Sequence, residues 1–274
     1  MIFIAGCAPP KRMGPPIIEE IEAEFKDVCP PHNLTVKPGD GSLHLRWEID
    51  CPESTLLSGY YIYVLDKPIY DEYHSSDPPS SARPYNDAVY PGDTVADRGF
   101  ETITISDLDN GVDYYLSVRT VYPDRKISAS SNEIGVICRP EGQFELAFRY
   151  AALNDGFSFA RAASVRADGT ANDLVFYNKD NIDFIECPSR LNGFLRKTEI
   201  YSLGKTKDIY QYPKFTIDIP PEDKLPIFEG ESYLIRTADG NYAKIRIEKI
   251  SGSGKERILK IRYIYQTLKG VIRF

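Results

Sequence analysis

Four tyrosines, Tyr70, Tyr73, Tyr85 and Tyr90, stand among Ser, Asp, Pro and Asn in the stretch from Ile69 to Phe100. Large rigid rings set between small polar residues are the chemistry of adaptable recognition surfaces, because they offer contact area at little entropic cost. Tyrosine faces also stack on sugars. The same rings can instead pack the stretch onto its own domain. A second group is cationic: Lys244, Arg246, Lys260 and Arg262 alternate with apolar residues in YAKIRIEKI and ILKIRYIYQ. On one open sheet face they would form a basic stripe for a carboxylate, a sulfated glycan or a lipid headgroup. A solvated sheet face has the same pattern.

Catalytic and metal-binding spacings are weaker. Ser253-Gly254-Lys255-Glu256 lacks the first glycine of a phosphate loop and the Ser/Thr after the lysine, so it reads as a turn. Asn178, Asp180, Asn181 and Asp183 carry oxygen ligands, but not at EF-hand spacing. No two cysteines are spaced as C-x-x-C, and no zinc ligand set is present. A Ser-His-Asp triad would have to use His32, His44 or His74, and no G-x-S-x-G accompanies them. Paired carboxylates for glycoside hydrolysis depend on separation in space. The expectation is a chain without catalytic residues, metal or cofactor.

These groups need a scaffold. The chain has 274 residues, enough for one large or two ordinary domains. With 19 Tyr, 20 Pro and 19 Gly, it favours strands joined by turns. Residues 1–140 carry 12 Lys and Arg against 22 Asp and Glu, whereas residues 141–274 carry 21 against 18. That asymmetry supports a boundary near residue 140. The acidic front half argues against nucleic acid, whose phosphates it would repel.

Strand signals begin at residue 30. SLHLRWEI alternates through Leu43, Leu45 and Trp47, FETITISDL through Ile103 and Ile105, and DYYLSVRTVYP through Leu116 and Val118. Several short strands with regular turns predict a sandwich over 30–140. Residues 69–100 form an insertion, long for a compact domain, and long ordered loops are often functional. Residues 141–274 predict a second antiparallel β domain. Its clearest part is a three-stranded meander with a turn at Asp239-Gly240. Ala243, Ile245, Ile247, Leu259, Ile261, Tyr263 and Tyr265 are expected inward.

The first domain resembles the fibronectin type III family. Trp47 stands at the core tryptophan of the second strand. Leu108-Asp109-Asn110-Gly111-Val112-Asp113-Tyr114 matches the L-x-x-G-x-x-Y element of the tyrosine corner, and Ser131-Asn132-Glu133-Ile134 the start of the last strand. The resemblance implies a seven-stranded module used as a spacer or binding unit. It also implies the pairing of Cys29, Cys51, Cys138 and Cys187. Cys29, before the first strand, and Cys51, after the second, share a pole. Cys138 ends the last strand at the opposite pole, beside the domain holding Cys187. Disulfides Cys29–Cys51 and Cys138–Cys187 are therefore expected. The stretch from TADGNYAKIRI to RYIYQ is similar to the C-terminal part of haem-binding lipoproteins of the Bacteroides group. Haem ligation is not carried over, because the second domain has neither His nor Met.

At the N-terminus, Ile4-Ala5-Gly6-Cys7 resembles the bacterial lipobox. The resemblance implies acylation of Cys7 and export, with the protein held at the outer membrane or cell surface by lipid alone. Met1–Gly6 is too short for a signal's basic and apolar regions, so residues 1–7 are expected to be a signal remnant whose start lies upstream. Residues 8–29 form a Pro-rich, acidic tether, with 16–26 fitting either a short amphipathic helix or a stalk. The function expected is a non-catalytic envelope lipoprotein whose β modules bind a glycan or a protein partner. Alternatives are a structural subunit of an extracellular assembly and an accessory module or hydrolase acting on polysaccharide.

Overall fold

Alternating apolar residues give strands with one face to bury, and the chain buries them in two sandwiches. The computed structural model describes residues 29–51, 57–79, 81–92, 99–150, 154–211 and 220–274. Cys7 and the expected helix at 16–26 lie outside the described residues.

The first sandwich uses β1 (His32–Gly39), β2 (Ser42–Glu48), β3 (Gly59–Leu65), β4 (Phe100–Ile105), β5 (Asp113–Val121) and β6 (Ile134–Ile137). One sheet runs β1-β2-β4 and the other β3-β5-β6, all antiparallel. Leu43, Leu45 and Trp47 from the first sheet meet Ile62, Leu116 and Val118 from the second in one core. The Trp47 ring stands edge-on to Tyr60 at 5.1 Å. The tyrosine corner is formed, with the Asp109 amide donating to the Tyr114 hydroxyl at 3.0 Å. The described residues form six strands here, not seven.

The insertion supplies what the missing strand would. A short helix α1 (Ile69–Tyr73) buries Ile69. Following it, Pro78 covers the outer face of the second sheet, where its carbonyl and that of Ser128, from the β5–β6 connection, accept from the buried Arg119 guanidinium at 2.5 Å each. Residues 85–90 then run along the free edge of β3. The Tyr85 amide donates to the Ile62 carbonyl, the Ile62 amide to Asn86 Oδ1, and Tyr60 and Tyr90 exchange both backbone bonds. An open strand edge is thereby closed to other chains.

The second domain contains β7 (Glu141–Ala147), β8 (Gly156–Ser158), β9 (Ala163–Val165), β10 (Leu174–Lys179), β11 (Ile182–Glu186), β12 (Glu199–Lys205), β13 (Lys224–Pro226), β14 (Glu231–Arg236), β15 (Tyr242–Ser251) and β16 (Ile258–Gln266). They form two five-stranded sheets, β12-β14-β15-β16-β7 and β13-β11-β10-β8-β9. Ala243, Ile245, Ile247, Leu259 and Ile261 of one sheet share a core with Leu174, Phe176 and Ile185 of the other, as their alternation requires. Phe144 stacks on Phe157 between the sheets, centroids 3.6 Å apart. Asp180 and Asn181 adopt positive φ in the turn joining β10 to β11, a hairpin geometry that Asp and Asn tolerate. The oxygen-rich cluster around them is therefore a hairpin turn, with the Asn178 amide donating to Asp183 at 2.6 Å.

The two domains are joined along a seam. Tyr265 donates its amide to the Pro140 carbonyl, and Arg273 near the C-terminus pairs with Asp113 at 2.5 Å. Gly111, at φ +81°, lies so close to Leu268 that a Cβ there would meet its Cδ1 at 2.5 Å.

The cysteines divide differently from the expected pairing. Cys29 and Cys51 are bonded, with their Cα atoms 5.6 Å apart. Cys138 and Cys187 are free and buried, so the expected second bridge is absent. Each thiol belongs to its own domain. Cys138 turns back into the first sandwich, its Sγ 3.6 Å from the carbonyls of Gly39 and Ser42. Cys187 Sγ accepts the Thr198 amide at 3.0 Å.

Candidate functional site

The meander places Lys244, Arg246, Lys260 and Arg262 on the outer face of its sheet, but that face is only partly open. Lys244 is 1% exposed, and its ammonium donates to the Gln211 carbonyl at 2.7 Å. Burial pushes its pKa down to about 8, against a smaller upward pull from Asp208. The segment 206–211 lies across the sheet here, a feature that strand alternation does not encode. Arg246 is half-buried, bonded to Glu248 at 2.5 Å and to the Thr206 carbonyl. A bulge between Ile247 and Lys249 sets Lys260 opposite Lys249, with Glu145 on its other flank. The four cations therefore do not make one stripe. Arg262, 45% exposed, lines a cleft between the two domains, while Lys260 lines a separate pocket beside Glu145 and Asn154.

The tyrosines are divided too. Tyr90 donates its hydroxyl to the Thr102 carbonyl of β4 at 2.7 Å, and Tyr85 donates to the Ser106 carbonyl at 3.3 Å. Both span from the edge of one sheet of the first sandwich to the other, which is the packing alternative. Tyr73 is half-buried, its phenol pKa raised chiefly by burial. Tyr70 is 65% exposed, edge-on to His74. The insertion does not gather the four rings into one exposed surface.

The cleft lies between the two sandwiches and encloses about 390 Å³. β1 contributes Val36 and Lys37. β7 contributes Glu141 and Gln143, on the outer face because Phe144 and Leu146 point into the core. β16 sets Arg262 directly opposite Gln143. The loop bearing Tyr210 closes one end. Asp208 holds that loop by accepting the amides of Tyr210 and Gln211 at 2.9 and 2.8 Å. Ile209 is tucked beneath it, 1% exposed, while Tyr210 remains 52% exposed. The Tyr210 hydroxyl donates to Glu141 Oε1 at 2.8 Å. Burial and this bond to a carboxylate push the phenol pKa up to about 12, so it stays a donor at neutral pH.

The charges of the cleft are unevenly committed. Glu141 is nearly buried, with its Oε2 4.0 Å from Arg139. Oε2 accepts no hydrogen bond among the described residues. Arg262 has its nearest carboxylate, Glu248, at 4.0 Å, and Glu248 is already bonded to Arg246 at 2.5 Å. Lys37 is exposed and makes no ion pair among the described residues. Of these lining residues, alternation marks Arg262 alone. Lys37 and Tyr210 belong to no motif and are brought together by the domain seam.

Elsewhere three of the buried carboxylates are held by arginines, while Asp155 accepts the Tyr150 and Ala167 amides and Glu101 the Tyr60 hydroxyl. Asp173 accepts from Arg196 Nε at 2.9 Å and from the Phe159 amide at 3.0 Å, and burial raises its pKa against those bonds. Asp183 meets Arg257 at 3.1 Å, and Glu186 meets Arg149 at 2.5 Å. No group of His, Cys, Asp and Glu that could hold a metal occurs among the described residues. No described helix is long and apolar enough to cross a membrane.

No protein-family model and no curated protein matches the chain. Among solved structures, the chain is 14% identical to the central fibronectin-III array of RIM-binding protein, with 86% of this chain and 79% of that one covered at a TM-score of 0.26. It is 9% identical to the twitchin kinase region of C. elegans, over 88% of this chain and 39% of that one, at 0.26. It is 18% identical to the Yersinia enterocolitica family 28 exopolygalacturonase, over 40% of this chain and 20% of that one, at 0.24. The chain thus spans less than half the length of the latter two, and at these TM-scores none of the likenesses bears on function. The architecture stands on the chain's own strand pairing: a fibronectin type III-like sandwich followed by a second antiparallel β-sandwich.

Proposed function

We propose that this chain is a non-catalytic cell-envelope lipoprotein, anchored through Cys7, that receives a glycan or a protein partner in the cleft between its two sandwiches. The observation that carries it is the cleft itself: a half-exposed tyrosine ring beside two cations, Lys37 and Arg262, that lack a close carboxylate of their own. Binding sites favour such domain junctions, with a few convergent polar groups fixing orientation. The engagement of Asp173, Asp183 and Glu186 by arginines supports a binding role over hydrolysis. The Cys29–Cys51 disulfide fits an oxidising, exported environment.

The test is a binding screen of the full chain against a glycan array and isolated envelope proteins, repeated with Tyr210→Ala. Loss of a hit at least tenfold, with unchanged melting temperature, is the expected result. Hits that survive in the variant would move binding away from the cleft. Metabolic labelling with a palmitate analogue checks the anchor: label on the natural chain should vanish in Cys7→Ala.

A further inference from the structure

We infer that the cleft selects an acidic glycan, one carrying carboxylate or sulfate groups; this rests on the binding role proposed above. Lys37 reaches the cleft from β1 and Arg262 from β16, so each domain supplies one cation. Neither has a close carboxylate to itself: Lys37 makes no ion pair among the described residues, and Glu248, 4.0 Å from Arg262, is bonded to Arg246 at 2.5 Å. A guanidinium presents paired donors that match carboxylate and sulfate oxygens.

The one carboxylate in the cleft does not oppose an anion. Glu141 is nearly buried, receives the Tyr210 hydroxyl and lies 4.0 Å from Arg139. Its charge is partly offset by the Arg139 guanidinium and by the hydroxyl it accepts. The remaining lining suits a sugar. Gln143, opposite Arg262, offers both amide donors and an acceptor to hydroxyl groups. The exposed face of Tyr210 offers a flat apolar surface held in place by the Glu141 bond.

The whole chain has a net charge of −7, so polyanions are repelled at long range. Affinity for an acidic glycan must come from the local cations and should fall modestly with salt. Non-specific polyelectrolyte binding would instead require a basic surface.

Isothermal titration of the full chain with hyaluronan oligosaccharides, dextran sulfate oligomers and maltohexaose separates the possibilities. The first two distinguish carboxylate from sulfate as the source of charge, and the third is neutral. Binding of at least one acidic oligomer, weakened at least fivefold by both Arg262→Gln and Lys37→Gln, is the expected result. Both positions are solvent-exposed, and unchanged melting curves confirm folding. If maltohexaose binds as well as the acidic oligomers and Tyr210→Ala removes it, the acidic inference is overturned while the cleft remains a glycan site. Equal binding of oligo-dT, or of an oligo-glutamate peptide, would also overturn it, by showing charge recognition without a sugar. If no oligosaccharide binds, both the inference and a glycan as the cleft's ligand are rejected.

Discussion

Each sandwich buries a cation on an outer sheet face, Arg119 in the first and Lys244 in the second. In the first, Arg119 on β5 donates to the Pro78 carbonyl of the insertion and to the Ser128 carbonyl of the β5–β6 connection. In the second, Lys244 on β15 lies beneath the 206–211 segment and donates to the Gln211 carbonyl. Both side chains pin a covering loop to an outer sheet face through its backbone oxygens. The difference is in the proton. A guanidinium keeps its charge across the whole range in which proteins fold, whereas a buried ammonium can release it. One loop is therefore held independently of pH and the other is not.

The largest expected effect breaks the first half of this comparison. Arg119→Met leaves two buried carbonyls without their charged donor and should destabilise the protein by about 3–4 kcal/mol, equally at pH 7 and pH 9. Urea denaturation at both pH values measures it; a strongly pH-dependent loss would contradict the fixed charge. Next is the disulfide, which fastens the start of the first sandwich. Replacing Cys29 and Cys51 together by Ser should remove about 3 kcal/mol, because it frees a loop of sequence separation 22 in the unfolded chain. Thermal denaturation should move to lower temperature by a corresponding margin, and an unchanged midpoint would mean that the bridge does not stabilise the fold.

Lys244 sharpens the second half. Its pKa in the folded protein, about 8, lies below the ordinary value of 10.5. Between those values the unfolded chain holds a proton that the folded chain does not, so stability rises with pH across the window. The gain should be about 2 kcal/mol from pH 8 to 10 and absent in Lys244→Met. Tyr201, Tyr210 and Tyr265 are pushed up to about 12, so their contribution declines once pH passes their ordinary value of 10.0. An optimum between pH 8 and 10 is expected from chemical denaturation across a pH series. The smallest effect is at Tyr90. Tyr90→Phe keeps the ring against Trp47 but loses the bond to Thr102, and should cost about 1 kcal/mol. A loss several times larger would show that the β3 edge opens without it.

Residue pattern reached some of these features and not others. Alternation in SLHLRWEI and DYYLSVRTVYP located the inward residues of the first sandwich, and the Leu108–Gly111–Tyr114 spacing located the corner bond that is formed. In the meander it separated Ile245 and Ile247 from Lys244 and Arg246 correctly. It could not tell that the outward side at Lys244 is itself covered, because the covering residues come from another part of the chain. Arg119 is hidden for the same reason. Cys138 shows the limit of topology: a residue ending a strand at the domain boundary can direct its side chain back into its own core. The cleft joins residues as far apart in sequence as Lys37, Tyr210 and Arg262, so no local spacing announces it.

The division of the four described cysteines into one bridge and two buried thiols bears on how the chain matures. Four thiols in an oxidising compartment can pair fully in three ways, and every one of them consumes the two thiols, Cys138 and Cys187, that the fold keeps free. In a chain emerging from its N-terminus, Cys29 and Cys51 appear before either competitor and are separated by 22 positions. Their bond can close while the rest of the chain is still absent. Folding then encloses the two later thiols, and burial raises the pKa of Cys138, which depletes the thiolate that exchange requires. Order of emergence, followed by enclosure, keeps the native bridge from being scrambled. Refolding of the reduced full-length chain, where every thiol competes at once, should accordingly give mispaired species that synthesis in sequence avoids.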